Sequence, residues 1–316
     1  MSFFSDVERE LVVRGRAEIA DGIVAIDLAP SNGRPLPRWT PGSHIDLVLG
    51  PGLERPYSLC SDPSDTTTWR VAVLRDDAGR GGSLAAHALA EGEVVRARGP
   101  RSTFSFPEDA RGRVVFVAGG IGITPILPMV RSAAAAGVDW SLDYAVRTRT
   151  ALPFADELRR HGDRVRLHVS DEGGRLDVAA VVADAGASPV WACGPARLLD
   201  ALASAAGPAT RLHVEPFVAG ELAEPVRAEP FEVELLSTGE VLEVPPDRSI
   251  LEVLEGHGVL AVSSCREGTC GTCETVVVEG EVDHRDRVLT PHERETSPVM
   301  MVCVSRAACD RLVLDV

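Results

Sequence analysis

Four cysteines in the last third of this 316-residue chain constrain its fold more than any other feature. Cys270 follows Cys265 after four intervening residues, Cys273 follows after two more, and Cys303 follows after a further 29. Three thiolates on one loop can surround a single centre, and Cys303, preceded by the apolar string PVMMV, can supply a fourth ligand from a buried element. Seven cysteines in a chain of this size, four of them clustered, indicate ligation rather than a disulfide scaffold.

The spacing predicts a 2Fe-2S cluster, because it matches the plant-type arrangement of cysteine ligands. Gly268 and Gly271 allow the backbone to approach inorganic sulfide and to donate N–H bonds to it. Zinc is the alternative, since four cysteines also bind Zn²⁺ tetrahedrally, although zinc ribbons usually pair two short CxxC knuckles. Cys309 is a rival ligand that lies out of register. The strings SSCREGTCGTCETVVVEGEVDHRD and MMVCVSR resemble plant-type ferredoxins over the C-terminal part of the chain.

The pattern of elements changes twice along the chain and predicts three domains. Residues 1–110 contain short β-rich runs between Pro and Gly clusters, which indicate an antiparallel β-barrel or sandwich, and we predict the barrel. Residues 111–224 alternate strand and helix, which is typical of a Rossmann-like parallel sheet flanked by helices. Residues 225–316 contain two alternating strands, one helix and the cysteine loop, which fit a small β-grasp domain. The fold class is therefore multidomain, α/β and β.

Charge and hydropathy exclude several classes of partner. The formal net charge of −15 disfavours nucleic acid and anionic membrane surfaces, because both require a basic footprint. From Pro225 onward, 18 acidic residues face 8 arginines, so this segment carries −10 of the total. One interpretation of this acidic excess is that it keeps the protein soluble, and the other is that it forms a docking surface for a basic partner. The sequence shows no signal peptide and no membrane span, so we expect a cytoplasmic protein.

Two strings in the first domain predict a flavin site. A one-electron cluster cannot take hydride from a nicotinamide directly, so a reductase needs a flavin. In RPYSLCSDP, the period of two puts Arg55 and Tyr57 on one face of a strand, where both can reach one ligand. In GRGGSLAAHAL, Gly81, Gly82 and Ser83 precede a helix whose free N–H groups favour a phosphate. A surface arginine on an ordinary strand and a helix N-cap at Ser83 are the alternatives.

Together these strings resemble the flavin domain of ferredoxin reductases. The resemblance implies that Ser58 lies near the reactive flavin nitrogen and that Arg55 offsets negative charge on the flavin. It also adds three positions to the cofactor-binding set: Pro56, Val73 and Gly79.

The second domain predicts a nicotinamide site, since the strand RVVFVA runs into the glycine-rich turn GGIGITP, and open α/β sheets bind ligands at such strand ends. The turn lacks the third glycine of the dinucleotide fingerprint and has Thr124 and Pro125 there. With the later CGP it resembles the nicotinamide domain of the same reductases; a tight turn beside a buried cysteine is the alternative. The resemblance implies cofactor contacts at Gly120, Gly122, Thr124, Cys193, Gly194 and Pro195, with Thr124 also in the catalytic set.

The string HVEPF ends this domain. By the resemblance, Phe217 stacks on the flavin and Glu215 lies beside the reaction centre, whereas a core phenylalanine is the alternative. Asp171, after the strand VRLHV, can accept hydrogen bonds from an adenosine ribose and repel a 2′-phosphate, which favours NADH. Arg147 and Arg149 instead favour NADPH, which carries the 2′-phosphate.

The order flavin, nicotinamide and ferredoxin resembles the phthalate dioxygenase reductase and vanillate demethylase reductase family over essentially the whole chain. The resemblance implies FMN, NADH and a 2Fe-2S cluster, with electrons passing to a terminal oxygenase. A Rieske-type enzyme acting on an aromatic compound is the expected partner, and a cytochrome P450 is the next. We expect the partner to dock on the acidic ferredoxin domain of a monomer, and electron delivery to weaken as salt rises. A stand-alone NADH oxidase or quinone reductase, and a non-enzymatic redox sensor, are the rival functions.

Overall fold

The computed structural model describes residues 7–107, 109–207, 210–216, 225–289 and 291–316. The chain divides into two compact units, Met1–Phe217 and Val218–Val316. The predicted boundary at residues 110–111 lies inside the first unit, between its two sheets, and the one at residues 224–225 adjoins the undescribed segment 217–224. None of the helices in the described ranges is long and apolar enough to cross a bilayer.

The first unit begins with an antiparallel sheet and one short helix. Their bounds are β1 Glu8–Ala20, β2 Ile23–Pro30, β3 His44–Gly50, β4 Leu53–Ser58, β5 Trp69–Leu74, α1 Gly82–Ala88 and β6 Val94–Arg101. The strand order is β4-β3-β6-β1-β2-β5. A bridge between Leu59 and Val71 joins the segment after β4 to β5, so the sheet closes on itself around a core that includes Trp69 and Ile26.

The second half of this unit is a parallel sheet with helices on its faces. Its elements are β7 Arg113–Gly119, α2 Ile123–Ala135, β8 Asp139–Val146, α3 Ala155–Arg159, β9 Val165–Val169, α4 Val178–Ala185, β10 Val190–Gly194, α5 Ala196–Ala205 and β11 Leu212–Pro216. The strand order β11-β10-β7-β8-β9 makes β7 and β10 neighbours whose connections leave in opposite directions. Such a switch point opens a crevice at the carboxyl ends of the strands. The helix α2 begins directly after the glycine turn.

The second unit is a small mixed sheet packed on one helix. Its elements are β12 Phe231–Leu235, β13 Val241–Val244, α6 Ile250–Gly256, β14 Glu274–Glu279, β15 Val282–Asp283, α7 Pro291–Thr296, β16 Val299–Met301, β17 Arg306–Ala307 and β18 Arg311–Asp315. The main sheet has the order β13-β12-β18-β14-β16, with β12 and β18 parallel. A capping box between Ser249 and Glu252 starts α6, whose apolar side joins the core of the sheet.

The three larger sheets confirm the predicted fold class: an antiparallel barrel, a Rossmann-like parallel sheet and a β-grasp domain. The two alternating strands predicted in residues 225–316 are β12 and β13, which pair as an antiparallel hairpin. The cysteine loop occupies the long connection between α6 and β14.

Candidate functional site

The glycine-rich turn after β7 lies directly against the end of β10. A Cβ atom on Gly122 would lie 2.3 Å from the Cys193 carbonyl oxygen, so only glycine lets the two backbones approach this closely. Gly120 has a φ of 55°, in the left-handed region that favours glycine. The Tyr144 hydroxyl donates to the Gly120 carbonyl oxygen at 2.9 Å and holds the turn. The structure thus brings the strings GGIGITP and CGP into contact.

Three strand ends meet at this edge of the parallel sheet. Cys193 on β10 pairs with Ala118 on β7 and with Glu215 on β11. A Cβ atom on Gly194 would lie 3.0 Å from the Gly119 Cα atom, so β7 and β10 are in backbone contact where they end. These residues form one wall of the crevice at the switch point.

Two other predicted residues lie at the starts of helices beside this edge. Thr124 is buried in the first turn of α2, where its hydroxyl donates to the Ile121 carbonyl oxygen at 3.0 Å. Pro195 is the N-cap of α5 and has an extended backbone conformation. Both helices therefore begin at the strand ends, where their first N–H groups lack intrahelical partners.

Glu215 is a buried carboxyl at the same strand ends. Its Oε2 atom has no hydrogen-bond partner among the described residues, and burial raises the pKa of its carboxyl to about 8. The Cys193 thiol is fully buried, so burial first and the Glu215 charge second raise its pKa. Both groups are therefore uncharged at neutral pH. Phe217, the predicted stacking residue, lies outside the described residues.

Asp171 lies at the end of β9, farther along the same sheet edge. Its backbone N–H donates to the Arg147 carbonyl oxygen at 3.1 Å, which joins the ends of β8 and β9. The Arg149 guanidinium donates to both carboxylate oxygens of Glu172, at 2.6 and 2.8 Å. Arg149 is thus already paired with a carboxylate, while the Arg147 side chain is exposed.

The RPYS string forms the end of β4, an edge strand of the barrel. Tyr57 pairs with Ile45 and Ser58 with His44 on β3. Ser58 is buried, whereas Tyr57 is half-buried. Burial raises the pKa of the Tyr57 phenol to about 12, against an opposing effect of the Arg55 charge. The phenol therefore remains a hydrogen-bond donor at neutral pH.

The start of α1 packs against the side chain of Arg55. A Cβ atom on Gly82 would lie 2.5 Å from the Arg55 Cγ atom, so the absence of a side chain at Gly82 leaves room for the arginine. The Arg55 guanidinium donates to the Arg80 carbonyl oxygen at 3.3 Å. Gly81, with a φ of 81°, is the N-cap of α1. The two predicted flavin strings therefore meet, and the cradle they form fits an anionic group.

Ser83 lies inside α1, so its alternative role as the N-cap is wrong. Its hydroxyl accepts from the Asp76 N–H at 3.0 Å and donates to the Asp76 carbonyl oxygen at 3.1 Å, which ties α1 to the loop after β5. Gly79 is exposed on that loop, Val73 is buried in β5, and Pro56 lies opposite Asp46 in the β3–β4 pair.

Four thiols lie together and buried in the second unit: Cys265, Cys270, Cys273 and Cys303. The Cys265 sulfur is hydrogen-bonded to the thiols of Cys270 and Cys303, which lowers the Cys265 pKa. A hydrogen bond from Cys303 likewise lowers the Cys273 pKa. The donating thiols have raised pKa values for the same reason. Four buried thiols linked through three hydrogen bonds fit the donor set of an iron–sulfur cluster.

The backbone of the cysteine loop is shaped by two glycines in left-handed conformations. Gly268 has a φ of 69° and Gly271 a φ of 74°. A Cβ atom on Gly268 would lie 2.5 Å from the Val304 Cγ2 atom, so the loop packs tightly against the segment that holds Cys303. The Glu267 N–H donates to the Cys265 sulfur at 3.3 Å. Cys309 lies apart from this packing and donates to the Arg311 carbonyl oxygen at 3.0 Å.

Asp286 shapes the segment that contacts the cysteine loop, and the sequence analysis missed it. Its Oδ2 atom accepts from the N–H groups of Val288 and Leu289, at 3.0 and 2.8 Å. The neighbouring Arg287 N–H donates to the Gly268 carbonyl oxygen at 2.8 Å. Its place in the ferredoxin-like string DHRD was the available signal, but these contacts depend on the tertiary fold.

The family model for the 2Fe-2S iron-sulfur cluster binding domain matches residues 233–308, which hold all four cysteines. The phthalate 4,5-dioxygenase oxygenase reductase subunit of Pseudomonas putida is 40% identical, with 96% of each chain covered. The solved structure of phthalate dioxygenase reductase is 36% identical, with a TM-score of 0.70 and 98% of each chain covered. Full-length CYP116B46 from Tepidiphilus thermophilus is 48% identical, with a TM-score of 0.82 over 99% of this chain. The present chain covers 42% of that protein's length.

The fold and both sites define an oxidoreductase of the flavin and 2Fe-2S class, of the kind found as reductase components of oxygenase systems. The chain belongs to the phthalate dioxygenase reductase family, which the resemblance predicted and which also contains vanillate O-demethylase oxidoreductase. Membership confirms the predicted cofactor set of a 2Fe-2S cluster, FMN and NADH, and excludes the zinc and non-enzymatic alternatives.

The buried Glu215 carboxyl generates a pH dependence of stability. Its pKa is about 8 in the folded chain and near 4.5 in the unfolded chain, so unfolding releases a proton between these values. Stability is therefore lost as pH rises from about 4.5 to about 8, and the loss levels off above that range. Glu215→Gln removes this loss. Between pH 5 and pH 8, we expect the free energy of unfolding of the variant to rise by on the order of 2 kcal/mol relative to that of wild type. The measurement is urea unfolding of the flavin-free chain.

The control is Glu18→Gln, which changes an exposed carboxyl on β1. The difference in the free energy of unfolding between this variant and wild type should stay constant over the same pH range. A Glu215→Gln difference that is equally constant would contradict the assigned burial of a neutral carboxyl.

Proposed function

We propose that this chain is an NADH-dependent reductase that passes electrons through FMN and a 2Fe-2S cluster to a terminal oxygenase. Two features in one chain carry the proposal. The first is the switch point of the parallel sheet, where Gly122 contacts Cys193, and the second is a group of four buried thiols linked by hydrogen bonds. Relatives named as reductase subunits of oxygenase systems, which match nearly the whole chain, support it.

The flavin is held between the end of β4 and the start of α1. Arg55 and the N–H groups that follow Gly81 face the phosphate, since this is where the strand and the helix meet. The Tyr57 phenol would donate a hydrogen bond to the ligand, because its raised pKa keeps it protonated. Ser58 orients the reactive edge of the ring. Ser83 acts indirectly, by fixing α1 to the loop that carries Gly79.

NADH is held along the carboxyl ends of the parallel strands. Gly120 and Gly122 leave room for the dinucleotide backbone, and Thr124 and Pro195 mark the helix starts that face it. Cys193 and Gly194 line the nicotinamide end of the crevice. Asp171 accepts the ribose hydroxyls, and the pairing of Arg149 with Glu172 weakens any attraction for a 2′-phosphate, which favours NADH over NADPH.

Glu215 and Phe217 act at the reaction centre. Glu215 holds its proton at neutral pH, and its Oε2, which has no partner among the described residues, would be available to hydrogen-bond a bound nicotinamide. By the family resemblance, Phe217 would be the residue that stacks on the flavin. When bound, the flavin accepts two electrons as hydride, and the cluster carries electrons singly to the acceptor.

The acceptor is a terminal oxygenase that docks on the acidic second unit of a monomeric chain. A Rieske-type oxygenase acting on an aromatic compound is the first candidate, because several relatives are named as dioxygenase or monooxygenase reductase subunits. A cytochrome P450 is the second candidate, favoured by 48% identity to CYP116B46. To separate the two candidates, a purified Rieske-type oxygenase and a purified cytochrome P450 are each supplied with this chain and NADH. The product formed per NADH consumed is then compared.

Cys273→Ser tests whether the cluster is the exit for electrons. Loss of one ligand should remove the cluster's visible absorbance and slow NADH-driven reduction of cytochrome c about 10-fold or more. Reduction of the bound flavin by NADH should continue at the wild-type rate, because the flavin site lies in the first unit.

Cys309→Ser is the matched control, since this thiol lies outside the group of four. Undiminished cytochrome c reduction by the Cys273→Ser variant would contradict the relay and favour a stand-alone NADH oxidase or quinone reductase.

Salt tests the acidic docking surface. Raising the ionic strength from about 0.02 to 0.3 M should slow reduction of the physiological oxygenase several-fold, because screening weakens attraction to a basic partner. Glu274→Gln, which neutralises an exposed carboxylate next to Cys273, should flatten this dependence more than Glu240→Gln on the β12–β13 turn. A bimolecular rate constant that stays constant with salt would exclude electrostatic docking. The measurement is stopped-flow reduction of the oxygenase at varied protein concentration.

A further inference from the structure

Arg131 joins the two halves of the first unit through every nitrogen of its guanidinium. It lies in the third turn of α2. Its Nη1 donates to the carbonyl oxygens of Cys60 and Ser61, at 2.7 and 2.8 Å. Its Nε and Nη2 donate to the Glu157 carboxylate on α3, at 2.5 and 2.7 Å. One side chain thus links the segment after β4 to two helices of the parallel-sheet half.

The segment that Arg131 grips is continuous with the proposed flavin strand. Cys60 and Ser61 follow the RPYS string within three residues, and the Cys60 N–H donates to the Arg70 carbonyl oxygen at 2.8 Å. The helix that carries Arg131 begins at the proposed nicotinamide turn. Arg131 is therefore bound at one end to the element that holds the flavin and at the other to the element that holds NADH.

A small apolar cluster surrounds this link. The fully buried Cys60 side chain packs with Ile121 from the glycine turn and with Phe154, the N-cap of α3. Phe154 has a φ of 59°, a left-handed conformation that is uncommon for a residue with a side chain. Apolar packing of this kind is non-directional, whereas a planar guanidinium with four directed hydrogen bonds fixes both distance and angle.

We propose that Arg131 is a positioning residue for hydride transfer, which sets the separation between the flavin-binding and nicotinamide-binding elements. This inference rests on the proposed function. Hydride transfer requires the two reacting atoms in near-contact, and a displacement of about 1 Å can slow such a step about 100-fold. Arg131 contacts neither cofactor site directly and acts through the segment after β4 and through α2.

The first test measures anaerobic reduction of the bound flavin by NADH in a stopped-flow instrument. Arg131→Gln should lower the limiting rate per bound flavin about 10-fold or more, with less than about a twofold change in the NADH dissociation constant. Arg131→Lys should have a limiting rate between those of wild type and Arg131→Gln, since an ammonium cannot bond the carbonyls and the carboxylate in one plane. Arg113→Gln is the control, because the Arg113 guanidinium also bridges a carbonyl and a carboxylate, both of Asp184, but inside the parallel-sheet half.

The second test uses hydrogen–deuterium exchange on the flavin-free chain, so that its readout is independent of turnover. Peptides that cover residues 59–61 should exchange faster in Arg131→Gln and Glu157→Gln than in wild type, and at the wild-type rate in Arg113→Gln. This pattern would show that Arg131 holds the segment after β4 before any cofactor binds.

A limiting rate for Arg131→Gln within twofold of wild type would overturn the proposal, as would unchanged exchange at residues 59–61. If Arg131→Gln does not fold, Arg131→Lys and Glu157→Gln decide by the same two measurements: limiting rates within twofold of wild type in both variants, or unchanged exchange at residues 59–61 in both, would overturn the proposal. If NADH fails to reduce the wild-type flavin, the proposed function itself is wrong and this inference falls with it. The two failures are thereby distinguishable.

Discussion

The close approach of Gly122 to the Cys193 carbonyl oxygen is the contact on which the first unit's crevice depends. A side chain at this position would force the turn after β7 away from the end of β10. Because β10 also pairs with β11 through Cys193 and Glu215, such a shift would displace the buried carboxyl as well. The absence of one Cβ atom therefore determines whether the strand ends can form a single binding edge.

Around this edge, the chain buries ionisable groups that water would stabilise better. Glu215 is held neutral without a described partner for its Oε2, and the Cys193 thiol beside it is held neutral by the same burial. In the second unit, four thiols share hydrogen bonds among themselves, which leaves Cys265 and Cys273 the most acidic of the group. Buried groups with shifted pKa values are typical of functional sites, because their environment suits a ligand or a reaction rather than maximal stability.

Local patterns predicted much of this architecture. The cysteine spacing identified all four thiols because a short loop brings its own residues together, and strand–helix alternation identified the parallel sheet. The meeting of Arg55 with the start of α1, and of Gly122 with Cys193, followed from a family resemblance rather than from periodicity.

Contacts between distant segments could not be read in the same way. Arg131 is separated from Cys60 by 71 residues, and nothing in its local sequence distinguishes it from the other arginines. Serine is a common N-cap residue, yet Ser83 lies inside α1, which already begins at Gly82. Its hydroxyl is hydrogen-bonded to the backbone of Asp76 instead. The burial of Glu215 likewise depends on its strand pairing, which sequence alone does not specify.

Anaerobic titration with NADH, followed by absorbance and electron paramagnetic resonance on the same samples, tests the central claim most directly. The claim is that one chain takes hydride at the first unit and releases single electrons at the second. We expect flavin absorbance to bleach and the resonance signal of a reduced 2Fe-2S cluster to grow in the same titration. A flavin that is fully reduced by NADH while the cluster stays oxidised would contradict the claim.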